Sequence, residues 1–381
     1  MSVNEGGRRR ITPGRPVVVK AGSSSLVLES GELDPESLQR TVDHVADLWD
    51  DGHPAVLVSS GAVAAGLPAL GLGRRPRDVP GLQAAAAVGQ GLLMERYAAL
   101  FKERGYVVGQ VLLTKDLFAS RSQYLHARDA LERMLSLRVV PIVNENDAVV
   151  VDELRLGDND RLAAIVSHLV SAGILVILTD TGGIYTGDPR TMIDAELLSA
   201  VRSTDVALDH VSVGPSGPFG SGGATTKVAA ARMAAWSGIP TVIATSRESN
   251  VVARAVAGEN VGTWVSPHRG KLPARKLWIA FGQPSEGRVT VDIGATRALL
   301  EGGKSLLAVG ISSVDGEFEA GSAVEVARSN GELIGKGLVA MSAGQVRDSI
   351  GRHSSEVGGV VIHRDDFVLL ATEQPMDRLT T

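Results

Sequence analysis

Short apolar runs alternate, through the first two thirds of the chain, with longer segments in which apolar residues recur every three or four positions. Runs of four to eight residues rich in Val and Ile are typical of strands buried on both faces of a parallel sheet, and the longer segments are typical of covering helices. Strands are predicted at 17–20, 55–58, 106–113, 139–143, 173–179 and 239–244. The pattern therefore predicts an α/β fold, with a mainly parallel sheet covered by helices on both faces.

The predicted helices lie between these strands. Asp34-Pro35 starts an amphipathic helix to about Asp50, because Pro is favoured in a first turn. Residues 82–104 predict one long helix with small residues, AAAAVGQG, on a tightly packed side. Asp158 or Asn159 is expected to cap a helix from about Asp160 to Ala172. Other helices are predicted after Ala62, over 121–137, and from the glycine-rich loop at 220–227 through Trp236.

The alternation of predicted strands and helices ends after residue 264. Short β-rich runs at 289–293, 323–327, 333–340 and 360–363, separated by Gly and Asp, predict a small, mostly β second domain. We divide the chain into a flexible N-terminal tail (1–14), an α/β domain (15–264), a linker (265–275), a β domain (276–372) and a C-terminal tail (373–381). In the first of these, Arg8 to Arg10 are expected to lie in solvent.

Composition narrows the function classes. The 381 residues are enough for two domains, and the net charge of −5 argues against an extended nucleic-acid surface. The absence of cysteine excludes disulfides, thiolate catalysis and Cys-based metal sites. No signal peptide and no apolar stretch of membrane-spanning length are recognised, so we expect a cytoplasmic protein.

Polar clusters follow several of the predicted strands. Asn144 to Asp147 follows one, Thr179-Asp180 ends another, and Asp158 to Asp160 begins a helix. Ligands of open α/β sheets bind at the carboxyl ends of the strands, where these groups would meet. Each cluster alone is equally consistent with ordinary turn chemistry.

Two lysines are associated with Gly/Ser-rich segments. Lys20 ends a predicted strand that opens into Gly22 and three serines, and Lys227 follows the glycine-rich loop Gly220 to Thr226. Small residues let backbone amides approach phosphate oxygens, although a flexible linker before a helix remains the alternative at the second loop. Two lysines, backbone amides and Mg²⁺ suit phosphoryl transfer. The eight histidines show no metal-ligand spacing, and no protein metal site is predicted.

At this point the chain resembles the amino acid kinase family. The resemblance covers residues 16 to 262 in the family's order, and residues 276 onward resemble a PUA domain, a small pseudo-barrel. The matching segments are VVVKAGSSS at 17–25, VSSGAVAAG at 58–66, VNENDAV at 143–149, GDND at 157–160, LTDTGGIYTGDPR at 178–190 and SGGATTK at 221–227.

The resemblance implies ATP-dependent phosphorylation of the γ-carboxylate of L-glutamate to L-glutamyl 5-phosphate, the first step of proline biosynthesis. Lys20 and Lys227 would flank the transferring phosphoryl group, and Asp160 would hold both lysines. Ser60, Asp147 and Asn159 match glutamate-binding positions, and Asn144 is a neighbour of these. The positions that match the ATP site are Lys20, Thr179, Asp180, Ser221, Gly222, Gly223, Ala224, Thr225, Thr226 and Lys227, with Tyr185 and Asp188 towards the nucleoside.

The same resemblance implies ATP and Mg²⁺ as cofactors, feedback inhibition by proline, a homo-oligomer (dimer or tetramer) and glutamyl phosphate reductase as a partner. One alternative is another kinase of the family that acts on a related acceptor. A second alternative is an RNA-binding PUA protein. Residues 276–381 carry ten Lys or Arg and fourteen Asp or Glu, a net of −4, which disfavours a phosphate-binding surface.

Overall fold

The computed structural model divides the chain into two compact units, Met1–Lys271 and Leu272–Thr381. It describes residues 7–28, 30–114, 117, 120–149, 159–189, 191–202, 223–268, 271–352 and 359–370. Each unit has its own sheet and its own hydrophobic core.

The first unit is built on an eight-stranded sheet. Its strands are β1 (Val17–Ala21), β2 (Ala55–Ser59), β3 (Val107–Leu113), β4 (Val139–Glu145), β5 (Ile174–Thr179), β6 (Ala200–Arg202), β7 (Thr241–Thr245) and β8 (Thr263–Ser266). Their order across the sheet is β3-β4-β2-β1-β5-β7-β8-β6, and every neighbouring pair is parallel except β7 and β8. The prediction of a mainly parallel sheet is confirmed.

Helices cover this sheet. They are α1 (Ser23–Leu26), α2 (Pro35–Asp50), α3 (Ala62–Ala69), α4 (Val79–Glu103), α5 (Arg121–Ser136), α6 (Asn159–Leu169), α7 (Ala224–Trp236) and α8 (Val251–Ala257). Val17 and Val19 of β1 join a core cluster with side chains of α2, α4 and α8. Because successive side chains of a strand alternate between faces, Lys20 lies on the opposite face, where its ammonium group reaches α6.

The long helix α4 crosses α3 at unusually close range. A Cβ atom built on Gly89 would lie 1.8 Å from the carbonyl oxygen of Ala62, and one built on Gly66 would lie 2.0 Å from that of Ala85. Only hydrogen fits at both points, so the two backbones touch directly. The tightly packed side predicted for this helix is confirmed, and it determines where the next residue, Gln90, stands.

The last two strands at one side of the sheet, β8 and the edge strand β6, were not predicted from the sequence. β6 has only three residues, and β8, with sequence TWVS, has only two apolar positions, so neither gives an apolar run of recognisable length. The run at 239–244 is the last strand of this half that the sequence pattern reveals, and β8 follows it in the structure. Val265 is fully buried in β8, so the segment predicted as a linker from residue 265 begins inside a strand.

Arg8 is buried, with 2% of its surface exposed, and the expectation that it lies in solvent was wrong. Its guanidinium group donates hydrogen bonds to the carbonyl oxygens of Ser199 (2.5 Å), Glu259 (3.2 Å), Val261 (2.8 Å) and Gly262 (3.0 Å). The planar fork of an arginine can satisfy several carbonyl groups at once, which the charge pattern of the sequence does not reveal.

The second unit contains a five-stranded sheet with the order β10-β9-β11-β12-β13. Its elements are α9 (Ala274–Leu277), β9 (Gly287–Val291), α10 (Ile293–Gly302), β10 (Ile311–Gly316), β11 (Ala323–Arg328), β12 (Leu333–Val339), α11 (Ala343–Ser349) and β13 (Ile362–Leu369). The mostly β prediction is confirmed. β10, with the largely polar sequence ISSVDG, was not predicted, and β9 ends early because Asp292 caps α10.

Among the helices that the structure describes, none is both long and apolar enough to cross a membrane.

Candidate active site

Three charged side chains predicted from the sequence meet at the carboxyl edge of the large sheet. Lys20 is near the end of β1, Asp160 is the second residue of α6, and Lys227 lies in the first turn of α7. The Lys20 ammonium nitrogen is 2.6 Å from Oδ1 of Asp160, and that of Lys227 is 3.6 Å from Oδ2. One carboxylate therefore joins two lysines from different elements.

A hydroxyl group completes the surroundings of this carboxylate. The Thr226 hydroxyl lies 2.7 Å from Asp160 Oδ2, so the first turn of α7 is tied to the first turn of α6. Burial by itself would raise the pKa of the Asp160 carboxyl, but the charges of Lys20 and Lys227 outweigh it and lower the pKa from 3.8 to about 2. Asp160 is ionised at neutral pH, as a counter-charge for two ammonium groups must be.

Gly22 leaves space beside the first lysine. A Cβ atom at this position would lie 2.7 Å from the Lys20 ammonium nitrogen, closer than a carbon atom can approach. The absence of a side chain keeps the end of β1 open, and a phosphate oxygen can approach both the lysine and the backbone here.

A second group of predicted residues forms a chain of side-chain amides. Asn159 Nδ2 donates to the Ser60 hydroxyl (2.9 Å), to the Ser59 carbonyl oxygen (3.3 Å) and to Asn144 Oδ1 (2.8 Å). Asn144 in turn donates to Gln90 Oε1 at 2.8 Å. Ser60, Asn144 and Asn159 are each at most 5% exposed. The structure therefore brings Ser60 and Asn159 together, one residue before the Asp160 cluster.

Asp147 follows β4 and is half-buried. Burial lowers the pKa of Arg75, and the nearby Asp147 carboxylate partly opposes this shift. An acidic side chain therefore lies just beyond the end of β4.

The predicted nucleotide residues are only partly described. Thr179 ends β5 with its hydroxyl 3.1 Å from the carboxylate of Asp180, and Gly223 to Lys227 form the start of α7. Gly223 precedes that helix with extended backbone, and as the N-cap residue it has no side chain to cap the amides of the first turn. Ser221 and Gly222, together with Asp158, lie outside the described residues.

One interpretation of this region was wrong. The polar NEND segment does not begin after the strand, because β4 runs through Asn144 to Glu145 and both are buried. Asn159 is the first described residue of α6 and its amide turns towards Ser60, while Asp158, the other residue predicted as a cap, lies outside the described residues. Sequence reasoning also missed Gln90, since a polar residue in an Ala/Gly-rich helix carries no sign of its partner.

Comparison with known proteins places this geometry in a family. The amino acid kinase family matches residues 15–245, and the PUA domain matches residues 287–361. Glutamate 5-kinase from Marinomonas sp. (strain MWYL1) is 43% identical over 371 residues, covering 95% of this chain and 99% of that protein. Glutamate 5-kinases from Moorella thermoacetica (41% identical, covering 95% of this chain and 98% of that protein) and Streptomyces coelicolor (44%, covering 96% and 99%) are similar over the same extent. With a lysine–aspartate–lysine cluster at the sheet edge and identity of this level along both units, the chain belongs to the amino acid kinase family, among the glutamate 5-kinases with a C-terminal PUA domain.

Proposed function

We propose that this chain transfers the γ-phosphoryl group of ATP to the γ-carboxylate of L-glutamate, giving L-glutamyl 5-phosphate for proline biosynthesis. The observation that carries the proposal is the position of Asp160 between Lys20 and Lys227, which holds two cations at the carboxyl edge of the sheet. Phosphoryl transfer requires positioning and neutralisation of charge, and this cluster supplies both.

The acceptor needs little activation. The γ-carboxylate of glutamate is already ionised at neutral pH, so no general base has to remove a proton before attack. Lys20 and Lys227 donate hydrogen bonds to the oxygens of the moving phosphoryl group from two elements, β1 and α7. Asp160 keeps the two ammonium groups apart and oriented, since a single carboxylate accepts from both.

Ser60, Asn159 and Asp147 bind the amino acid in this proposal. The Asp147 carboxylate accepts from the α-ammonium group, because an anion beyond the end of β4 is the natural partner for it. The Ser60 hydroxyl and the Asn159 amide lie 2.9 Å apart and provide a polar surface at the end of β2. Their position beside Asp160 supports an acceptor site next to the transferring phosphoryl group.

ATP is bound by Lys20, Thr179, Asp180 and the residues from Ser221 to Lys227. The backbone amides at the start of α7 follow an N-cap glycine, which has no side chain to occupy them, and they can bind phosphate oxygens. Mg²⁺ supplies charge neutralisation on the ATP phosphates when bound. Among the described residues no group of three or more His, Cys, Asp or Glu side chains is placed to hold a metal ion, and both Asp160 oxygens have cationic or hydroxyl partners. These residues fit a metal carried by the nucleotide.

The proposal includes the setting of the enzyme. It acts in the cytoplasm as a homo-oligomer, a dimer or tetramer, is inhibited by proline at or near the glutamate site, and passes its labile product to glutamyl phosphate reductase. An acyl phosphate hydrolyses readily, which favours a nearby consumer.

The test is glutamate-dependent consumption of ATP with Mg²⁺, with hydroxylamine present to trap an acyl phosphate. Aspartate, N-acetylglutamate and uridylate serve as comparison acceptors. Hydroxamate formed with glutamate alone is the expected result. Turnover with another acceptor and none with glutamate would overturn the substrate and keep the kinase chemistry.

A further inference from the structure

The long helix α4 carries two polar residues on its buried face, and each contacts the end of a different strand. Gln90 Oε1 accepts a hydrogen bond from Asn144 in β4 at 2.8 Å. Tyr97, seven residues later and therefore on the same side of the helix, lies with its hydroxyl 2.8 Å from that of Ser59 in β2. One helix thus holds the polar ends of two neighbouring strands.

The orientation of the amides along this chain follows from one backbone group. The amide N–H of Glu145 can only donate, and it lies 2.9 Å from the Asn144 side chain, so the atom that it meets is Oδ1. Asn144 therefore turns its NH₂ group towards Gln90, whose nearer atom must be the acceptor Oε1. Since Asn144 Oδ1 also accepts from Asn159, the nearer atom of Asn159 is Nδ2.

With the amides of Gln90, Asn144 and Asn159 in these orientations, the acceptor left at the end of the series is Asn159 Oδ1. Asn159 Oδ1 is buried and accepts no hydrogen bond from any described residue. A buried carbonyl oxygen without a donor is unfavourable unless a ligand provides one. The ammonium group of an amino acid is a donor of the required kind.

From these contacts we infer that Gln90 is a positioning residue for the amino acid, which acts through Asn144 to keep Asn159 Oδ1 turned to the substrate's ammonium group. The inference rests on the proposed function, because it takes Asn159 as a glutamate-binding residue. Gln90 itself touches neither the lysines nor Asp160 in the described contacts, and its role is confined to the amide chain.

The backbone contact between α3 and α4 explains how Gln90 keeps this position. Gly89 precedes Gln90 and lies against Ala62, the first residue of α3, at a distance that admits no side chain. α3 begins two residues after Ser60. The segment 60–62 therefore fixes the position of the Ser60 hydroxyl and, through its contact with Gly89, the position of Gln90 next to β4.

The test compares Gln90→Met with Gln90→Glu in the full-length protein. Methionine fills a similar volume but cannot accept from Asn144, which leaves that buried NH₂ group unpaired, and we expect KM for L-glutamate to rise about tenfold or more. We expect kcat and KM for ATP to stay within about twofold of the wild type, because such a change affects binding alone. In Gln90→Glu the new side chain has the same length and keeps an acceptor oxygen for Asn144. We expect this variant to recover most of the affinity for L-glutamate.

Leu93→Met is the matched control. Leu93 is buried on the same helix, and its substitution perturbs packing without touching the amide chain. We expect its melting temperature to fall while KM for glutamate is unchanged. Gln90→Asn, which keeps the amide but is one methylene shorter, serves as a second variant if Gln90→Met does not fold, and it should raise KM in the same way.

Three results would overturn the inference: an unchanged KM in both Gln90→Met and Gln90→Asn, an equal rise in Leu93→Met, or no recovery in Gln90→Glu. The wild type is measured first with the hydroxylamine assay. No hydroxamate from the wild type with glutamate would refute the proposed function, whereas wild-type activity with an unaffected Gln90→Met would refute only the role of Gln90.

Discussion

The ammonium nitrogen of Lys20 lies 2.6 Å from Oδ1 of Asp160, with the two side chains only 6% and 1% exposed. An ion pair so shielded from water is strong in attraction, and each member is unfavourable without the other. The pair fixes the end of β1 against the start of α6. Lys227 makes a longer contact, of 3.6 Å, with the other oxygen of the same carboxylate.

Replacing Lys227 by Ala should lower kcat by about 10²- to 10³-fold, the usual effect of removing one donor that acts on transition-state charge. KM for glutamate should change far less, because the acceptor does not depend on this side chain. Steady-state kinetics with both substrates checks this expectation. Lys102→Ala, at an exposed position of α4, is the control and should leave kcat unchanged. A kcat near that of the wild type in Lys227→Ala would remove the residue from its assigned role.

Replacing Asp160 by Asn should reduce stability in a pH-dependent way. The pKa of Asp160 is about 2 in the folded protein and 3.8 as its ordinary value, so its ionised form stabilises the fold above pH 3.8, and this contribution is lost as the pH falls towards 2. The shift corresponds to about 2 kcal/mol at neutral pH. Urea unfolding of both proteins from pH 7 to pH 2 should show a difference that closes below pH 4. A difference in the free energy of unfolding that stays constant from pH 7 to pH 2 would mean that ionised Asp160 does not stabilise the fold.

The alkaline limb of the pH profile should report Lys227. Burial lowers the pKa of Lys227 below its ordinary value of 10.5, although Asp160 opposes the shift. Lys227 must be protonated to neutralise phosphoryl charge, so kcat/KM for ATP should fall with an apparent pKa below 10.5. Lys227→Arg remains charged throughout this range and should move the limb upward. A limb at the same pH in both enzymes would assign the titration to another group, such as the substrate's amine.

Two glycines of α4 should respond oppositely to alanine. In Gly89→Ala the new methyl group meets the Ala62 carbonyl oxygen, and we expect a loss of about 1–3 kcal/mol in the free energy of unfolding. Gly91 has no atom within 4 Å of a new Cβ, and alanine there should stabilise the helix by up to about 1 kcal/mol. Urea-induced unfolding measures both. Equal effects at the two sites would mean that α3 and α4 are not in backbone contact.

Replacing Asp147 by Ala should raise KM for glutamate about 10- to 100-fold, because a charge-assisted hydrogen bond to the α-ammonium group is lost. kcat at saturating glutamate should remain close to that of the wild type. Glu103→Ala, at an exposed end of α4, controls for the loss of one negative charge. An unchanged KM in Asp147→Ala would leave the NEND segment with a structural role only.

The central strands and the lysine–aspartate–lysine cluster were accessible from the sequence for a physical reason. Strands such as β1 and β5 are buried on both faces and show as apolar runs, and the polar groups that follow them share one edge in any parallel sheet. Lys20, Asp160 and Lys227 could therefore be placed at one edge of the sheet, whereas the contact of Asp160 with both lysines was implied by the family resemblance.

The remainder depended on contacts between distant segments. Asn144 and Glu145 are polar residues inside a strand, so hydropathy predicted that β4 ends before them. Gln90 has a hydrogen-bond partner 54 residues away in the sequence, and Arg8 has partners up to 254 residues away. Neither the residue type nor the neighbouring sequence indicates these partners. The edge strand β6 is too short to give a period.

Arg8 carries a further consequence for synthesis of the protein. It is synthesised 251 to 254 residues before three of its four carbonyl partners, which belong to Glu259, Val261 and Gly262. Its native hydrogen bonds therefore cannot be complete until Gly262 has been translated. A chain that ends before Val261 lacks the carbonyl groups of Val261 and Gly262, so its Arg8 can keep at most two of the four native partners, Ser199 and Glu259.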